Sequence, residues 1–282
     1  MLNLQTIVET LSTHCHGRAW VFVTSQEDMD TVIGTRTASQ SHDFSKIQAR
    51  FANRVKLTSA DVEEVIRKRL LGKKENAAET LSSVYDLQQA NFSTLFTFAD
   101  GAKSYRNYPD KDRFIGTYPF VTYQFPLFQE AMSGLSAHNV FEGRYASVGE
   151  RSMLAVVQQV VRRLGGQEVN ALVSFDMLFA GIESALKSGA KHAVDVADRN
   201  LDDKLAISLL KALFLVKYVD GFQATARNLT VLTYPAFNTD LPAHAEKVKD
   251  ALAVLEAQTY VQRRGNAFEF LTNEEKEIEE EI

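Results

Sequence analysis

The chain has 282 residues, of which 45% are apolar and 24% charged, the make-up of an ordinary globular protein with material for a sizeable core. A formal net charge of −5 excludes a bulk electrostatic pull toward nucleic acid and leaves only a local basic face for such a partner. One cysteine, Cys15, excludes an intramolecular disulfide and favours a reducing compartment, the cytoplasm.

Leu4, Ile7, Val8 and Leu11 recur at helical spacing, and His16-Gly17 offers a stop. The N-terminus lacks the basic, apolar and small-residue order of a secretory signal. Residues 19–24 (AWVFVT) read as a buried strand, continuous and β-rich. Residues 27–33 read as a short helix, 35–43 as a loop, 44–51 as a helical turn and 54–57 as a second short strand.

From residue 58 the pattern is mostly helical. Thr58 or Ser59 can cap a helix with an apolar face of Val62, Val65, Ile66 and Leu70. Asp61, Glu63 and Glu64 sit in its first turn, where the helix dipole favours acids. Residues 77–98 continue as one or two helices. The aromatic stretch 114–128, broken by two prolines, predicts a packed connector that leads into a helix near 127–135. Residues 147–164 predict a strong helix with Met153, Val156, Val157, Val160, Val161 and Leu164 on its apolar side. No apolar run reaches membrane-spanning length without charge; 209–219 carries Lys211 and Lys217.

Beyond residue 200 come three helices, near 203–219, 224–232 and 242–258. Two β-rich runs, 260–263 and 267–271, then meet through Gly265-Asn266 as a hairpin. Three helices followed by a hairpin make a winged-helix pattern. Lys247, Lys249, Arg263 and Arg264 are its candidate nucleic-acid contacts, since cations on such a helix and wing can meet phosphates. Glu246, Asp250, Glu256 and Glu269 interleave with them and dilute the field, and winged helices also serve protein contacts. His14-Cys15-His16 does not read as a metal site, because neighbouring residues point apart and no second ligand cluster follows.

Several strings resemble one family. The polar-ended strand segment 21–26, the arginine-bearing segment 44–57 and the helix start GERSML at 149–154 resemble parts of an AAA+ ATPase. Together with DVEEVIRKRLL at 61–71, YPFVTYQFPLFQ at 118–129 and FEFLTNEEKEIEEEI at 268–282, they resemble BREX-type phage-defence ATPases of the BrxC/PglY family along nearly the whole chain. The resemblance implies a sensor role for Thr24 beside the nucleotide phosphates. It implies an arginine finger at Arg50, with Arg54 as second choice, and a lid sensor at Arg151. It implies ATP and Mg²⁺ in the intact family protein, self-association, and other BREX components as partners; DNA is a further candidate partner, a membrane is not.

The chain departs from the family where chemistry matters most. Nothing matches GxxxxGK[ST]; Gly72-Lys73-Lys74 lacks the earlier glycine and the hydroxyl, and it follows a helix. No apolar strand ends in an acidic pair suited to Mg²⁺. Without that loop the β- and γ-phosphates have no cradle, so no cofactor and no hydrolysis are expected of this chain alone.

The expected fold is mainly α with minor β. It comprises a partial AAA+ α/β remnant at 1–57, a helical lid and connector at 58–200, a winged helix-like domain at 201–272, and an acidic tail or helix start at 273–282. The two strands of the remnant would lack the neighbour that lies between them, which predicts a segment of poor stability, prone to associate. The expected role is to couple nucleotide state to assembly of a defence complex. The alternatives are a winged-helix DNA-binding module and a protein-interaction module without nucleotide chemistry.

Overall fold

The computed structural model describes residues 2–16, 18, 20–22, 59–101, 104–142 and 150–280. The chain divides into two compact units, Met1–Thr58 and Ser59–Ile282. Among its described residues the first unit is built on α1 (Leu2–His14). Val8 is buried, whereas Ile7 and Leu11 remain exposed. Just past the helix, His16 adopts a left-handed backbone (φ 45°), a conformation that ends helices.

The strand expected at 19–24 is corrected where it is described. Trp20, Val21 and Phe22 belong to no strand, and Trp20 and Phe22 are 84% and 85% exposed. A buried strand takes its burial from neighbours on both edges, and no described residue of this unit supplies one. The elements expected at 27–33, 35–43, 44–51 and 54–57 lie outside the described residues.

The second unit is mainly helical, with a two-stranded antiparallel sheet. It opens with α2 (Ser59–Arg69) and α3 (Glu75–Gln88), then a 3₁₀ turn and α4 (Phe92–Phe96). Val62 and Ile66 of α2 are buried, but Val65 is 42% exposed and Glu63 faces inward instead. The apolar spacing fits two rotational settings of α2, and the ion pair made by Glu63 selects one of them.

Asp110 starts α5 (Lys111–Thr117) by accepting the Arg113 N–H at 2.7 Å. The helix expected near 127–135 is α6 (Gln124–Ala137), which begins earlier. Pro126 falls in its first turn, where a missing N–H costs no intrahelical bond. The buried Gln124 side chain accepts from Val121 N–H at 3.1 Å and donates to the Val173 carbonyl at 2.7 Å. The connector aromatics form core as expected: Phe114, Phe120, Tyr123, Phe125 and Phe128 are all buried. Phe92, Tyr108 and Phe114 pack with centroids 4.8 to 5.7 Å apart, and Phe237 joins Phe92 at 5.9 Å.

Met153, Val156, Val157 and Val160 bury one face of α7 (Glu150–Arg163). This face lies on α8 (Phe179–Ile182). Gly181 permits the approach, since a Cβ there would come within 2.6 Å of Val156. After α9 (Ser188–Asn200) comes the central helix α10 (Lys204–Val216), apolar nearly all round and correspondingly enclosed. Asp203 caps it through the N–H groups of Leu205 and Ala206.

Thr225 caps α11 (Ala226–Leu232) and Asp240 caps α12 (Leu241–Ala257). Thr259, at φ 56°, closes α12: its N–H reaches Glu256 O, and the next N–H, of Tyr260, reaches Leu255 O. Strands β1 (Val261–Arg264) and β2 (Ala267–Phe270) then pair in the register Val261↔Phe270 and Arg264↔Ala267. Gly265, at φ 65°, supplies the left-handed turn between them. Ala267 also bridges back to Thr225, and the Phe268 N–H donates to Ala224 O at 3.0 Å. The acidic segment that follows is helical, α13 (Asn273–Glu280). Apolar residues from Val62 to Phe270 join in one core that runs continuously across position 201. Among the described residues no helix is long and apolar enough to cross a membrane.

Candidate functional site

The surface with the most defined chemistry is formed by α12 and the hairpin. Val248, Ala251, Leu252 and Leu255 turn inward, which leaves Lys247 and Lys249 on the exposed side of α12 and Arg263 and Arg264 exposed on β1. The fold thus collects the four predicted cations on one helix and one strand.

It also surrounds them with local partners. Lys249 pairs with Glu246 at 2.7 Å and Arg264 with Glu269 at 3.1 Å. The Arg263 guanidinium donates to the Gly265 carbonyl and lies over the Phe268 ring, 5.7 Å from its centroid. Asp250 and Glu256 share the exposed side of α12 with the lysines. Exposed pairs of this kind add little stability, yet they weaken the positive field that would attract phosphates. Val254 stands beside them as an exposed apolar residue.

Two buried joints hold this surface. Lys217, just past α10, has a side chain only 4% exposed. Its ammonium donates to the Phe270 carbonyl at 2.6 Å, meets Glu275 at 2.8 Å and lies 3.5 Å from Glu269. Glu275 is also half of a capping box: it accepts the Thr272 N–H at 2.8 Å, and the Thr272 hydroxyl accepts the Glu275 N–H. Burial would raise the Glu275 pKa, but Lys217 and the Thr272 donors outweigh it and hold the carboxyl below the usual range.

The second joint is Asn228, 1% exposed. Its amide oxygen accepts the Ala99 N–H at 2.8 Å, while its amide nitrogen donates to the carbonyls of Ala99 at 2.6 Å and Gln223 at 2.7 Å. A single side chain therefore grips the loop after α4 from within the C-terminal helices.

Sequence reasoning missed these joints, although two signals were present. A lysine inside the apolar run 209–219 needs a partner if that run is buried, and Thr272-x-x-Glu275 is a capping-box pattern. It also missed two inward-facing acids. Glu63, raised in pKa by burial against the pull of Arg113 and Arg67, meets Arg113 at 2.9 Å. Asp176 is raised by burial, and one of its carboxyl oxygens is buried without a hydrogen-bond partner.

Thr24, Arg50 and Arg54 lie outside the described residues, as does the Arg151 side chain, although its backbone lies in the first turn of α7. Among the described residues no segment has the strand, loop and helix order of a phosphate-binding loop. Gly72-Lys73-Lys74 follows α2 rather than a strand, and the Lys73 ammonium donates to the nearby Leu71 carbonyl. Among the described residues no three His, Cys, Asp or Glu side chains converge as metal ligands would. Neither a protein-family model nor a solved structure matches this chain.

Proposed function

We propose that this chain is a coupling and docking segment of a BREX-type phage-defence ATPase, without hydrolytic activity of its own. In the intact protein Thr24 and Arg151 would read the nucleotide in cis and Arg50 in trans, with Arg54 as its substitute. The C-terminal helices and hairpin would carry the resulting movement to partner proteins, which include copies of the chain and other BREX components. The family part of this reading is supported by the GERSML and YPFVTYQF strings.

The docking part is supported by one observation above the others. The order α10, a bridged residue at Thr225, α11, α12 and a hairpin bridged back through Ala267 is the one expected of a winged helix, which supports that reading. Cations on its exposed helix and wing are paired with neighbouring carboxylates, which favours a protein partner over a phosphate backbone.

The test uses the full chain and purified BREX components of the same system. The chain should turn over no ATP and leave duplex DNA unshifted at physiological salt. It should bind a BREX component in a manner weakened about tenfold by Val254→Asp. ATP turnover by the chain alone would overturn the non-hydrolytic reading. A salt-dependent DNA shift abolished by Lys249→Ala and Arg264→Ala would replace docking with DNA binding.

A further inference from the structure

The densest run of cations in the sequence lies away from the surface of α12 and the hairpin. Residues 67–74 (RKRLLGKK) hold five cations and no acid in a chain of net charge −5. They form the last turn of α2 and the turn that follows it. The helix dipole explains why cations are tolerated at this end of α2. It does not explain how two of them are arranged.

Arg67 lays its guanidinium against Gly116 of α5. A Cβ at that position would fall 2.6 Å from Nε and 2.8 Å from one terminal nitrogen, so a side chain there would displace the guanidinium. The Arg67 Nε is buried and has no hydrogen-bond acceptor. The adjacent carboxylate, Glu63, is engaged by Arg113 at 2.9 Å. Lys73 comes in from the turn after α2, partly buried; burial, with the field of Arg67 added, lowers its pKa to about 8.

Arg67 and Arg113 thus both act on the single carboxylate of Glu63, and Lys73 adds a third cation within the field of Arg67. Lys68 is occupied by Glu64 at 2.5 Å, and Arg69 and Lys74 are exposed alongside. A desolvated guanidinium nitrogen without an acceptor, beside a partly buried ammonium, is costly. A multi-oxygen anion offsets the repulsion between these two cations, because guanidinium and ammonium donors bind phosphate oxygens through charge-assisted hydrogen bonds.

We propose that Arg67 and Lys73, at the α2 end beside Gly116, form a binding site for a phosphate-class oxyanion, which Arg69 and Lys74 can extend along a longer phosphate chain. This site stands on its own observations and does not depend on the ATPase reading.

The probe is inorganic pyrophosphate, titrated calorimetrically into the full chain at low salt. Saturable binding is expected, weakened about tenfold by Lys73→Ala and by Arg67→Gln and unchanged by Lys249→Ala. The Lys73 ammonium donates to a backbone carbonyl only two residues away, that of Leu71, so its variant decides the matter even if the Arg67 variant fails to fold. A short fluorescein-labelled oligonucleotide separates the two sources of phosphate. Binding displaced by pyrophosphate and lost in Lys73→Ala assigns the site to a nucleic-acid backbone. Pyrophosphate binding without oligonucleotide binding assigns it to small phosphate-bearing molecules. No saturable pyrophosphate binding, or equal weakening by Lys249→Ala and Lys73→Ala, overturns the site.

Discussion

Lys217 and Arg67 are both cations drawn partly or wholly out of water, and the fold treats them in opposite ways. Lys217 has a carbonyl and two carboxylates around one ammonium. Arg67 lies against a glycine with its Nε lacking any acceptor. The first arrangement fastens β2 and α13 to the end of α10. The second fastens less, because its Nε makes no hydrogen bond and its attraction to Glu63 is shared with Arg113. The contrast teaches that burial alone does not tell whether a charge is structural: the count of acceptors does.

The strongest way to break this comparison is Lys217→Met. It leaves the Phe270 carbonyl without its donor and two carboxylates without their cation. The expected loss is about 3 kcal/mol of unfolding free energy, read by chemical denaturation. A loss below about 1 kcal/mol would remove the distinction between the two cations.

Asn228→Ala asks whether a fully satisfied neutral group anchors as firmly as a satisfied charge. It removes the partner of the Ala99 N–H and carbonyl and one of the two donors to the Gln223 carbonyl, which keeps the Thr225 N–H. About 2 kcal/mol should be lost by the same measurement.

A pH series sharpens the Lys217 side. The Glu275 pKa is depressed in the folded chain below its ordinary value of 4.5. Its contribution is therefore fully present above the unfolded value and is lost as pH falls through the lower, folded one. Thermal midpoints of the wild-type chain should fall more steeply below that ordinary value than those of Glu275→Gln. Parallel curves would show that Glu275 is not held by Lys217.

The smallest effect belongs to Arg67. Arg67→Met, measured without added oxyanion, should change stability by no more than about 0.5 kcal/mol in either direction, because no hydrogen bond of its Nε is lost. A loss comparable to that of Lys217→Met would mean that Arg67 is held by its neighbours after all.

Much of the second unit was legible in the sequence. The stripe of Met153, Val156, Val157 and Val160 announced α7, and Gly265-Asn266 between β-rich runs announced the hairpin with its ends nearly in place. The aromatics of 114–128 were read as core, and they are core. These signals are local: periodicity and turn chemistry act over a few residues. The reading erred where neighbours distant in sequence decide. Val65 and Glu63 compete for one face of α2, and only Arg113, fifty residues on, settles it. Trp20 and Phe22 have the composition of a buried strand, yet composition cannot supply the flanking strands that bury one. The partners of Arg67 and Lys217 could not be counted from spacing at all.

By itself the sequence determined that this protein is mainly helical with minor β, where α2, α7, α11 and α12 begin and end to within a few residues, and most of the apolar residues that those helices turn inward; it did not show α5, α8 or α9. It also determined the absence of a phosphate-binding loop within these 282 residues. Tertiary structure alone decided which charges are spent on each other and which are not: Lys217 on Glu275, Lys249 on Glu246, Arg113 on Glu63, with the buried Arg67 Nε left without an acceptor. The reason is physical. Helix periodicity and capping depend on residues within about four positions of each other, whereas Coulomb attraction and desolvation depend on distance in space, which exists only once the chain has folded.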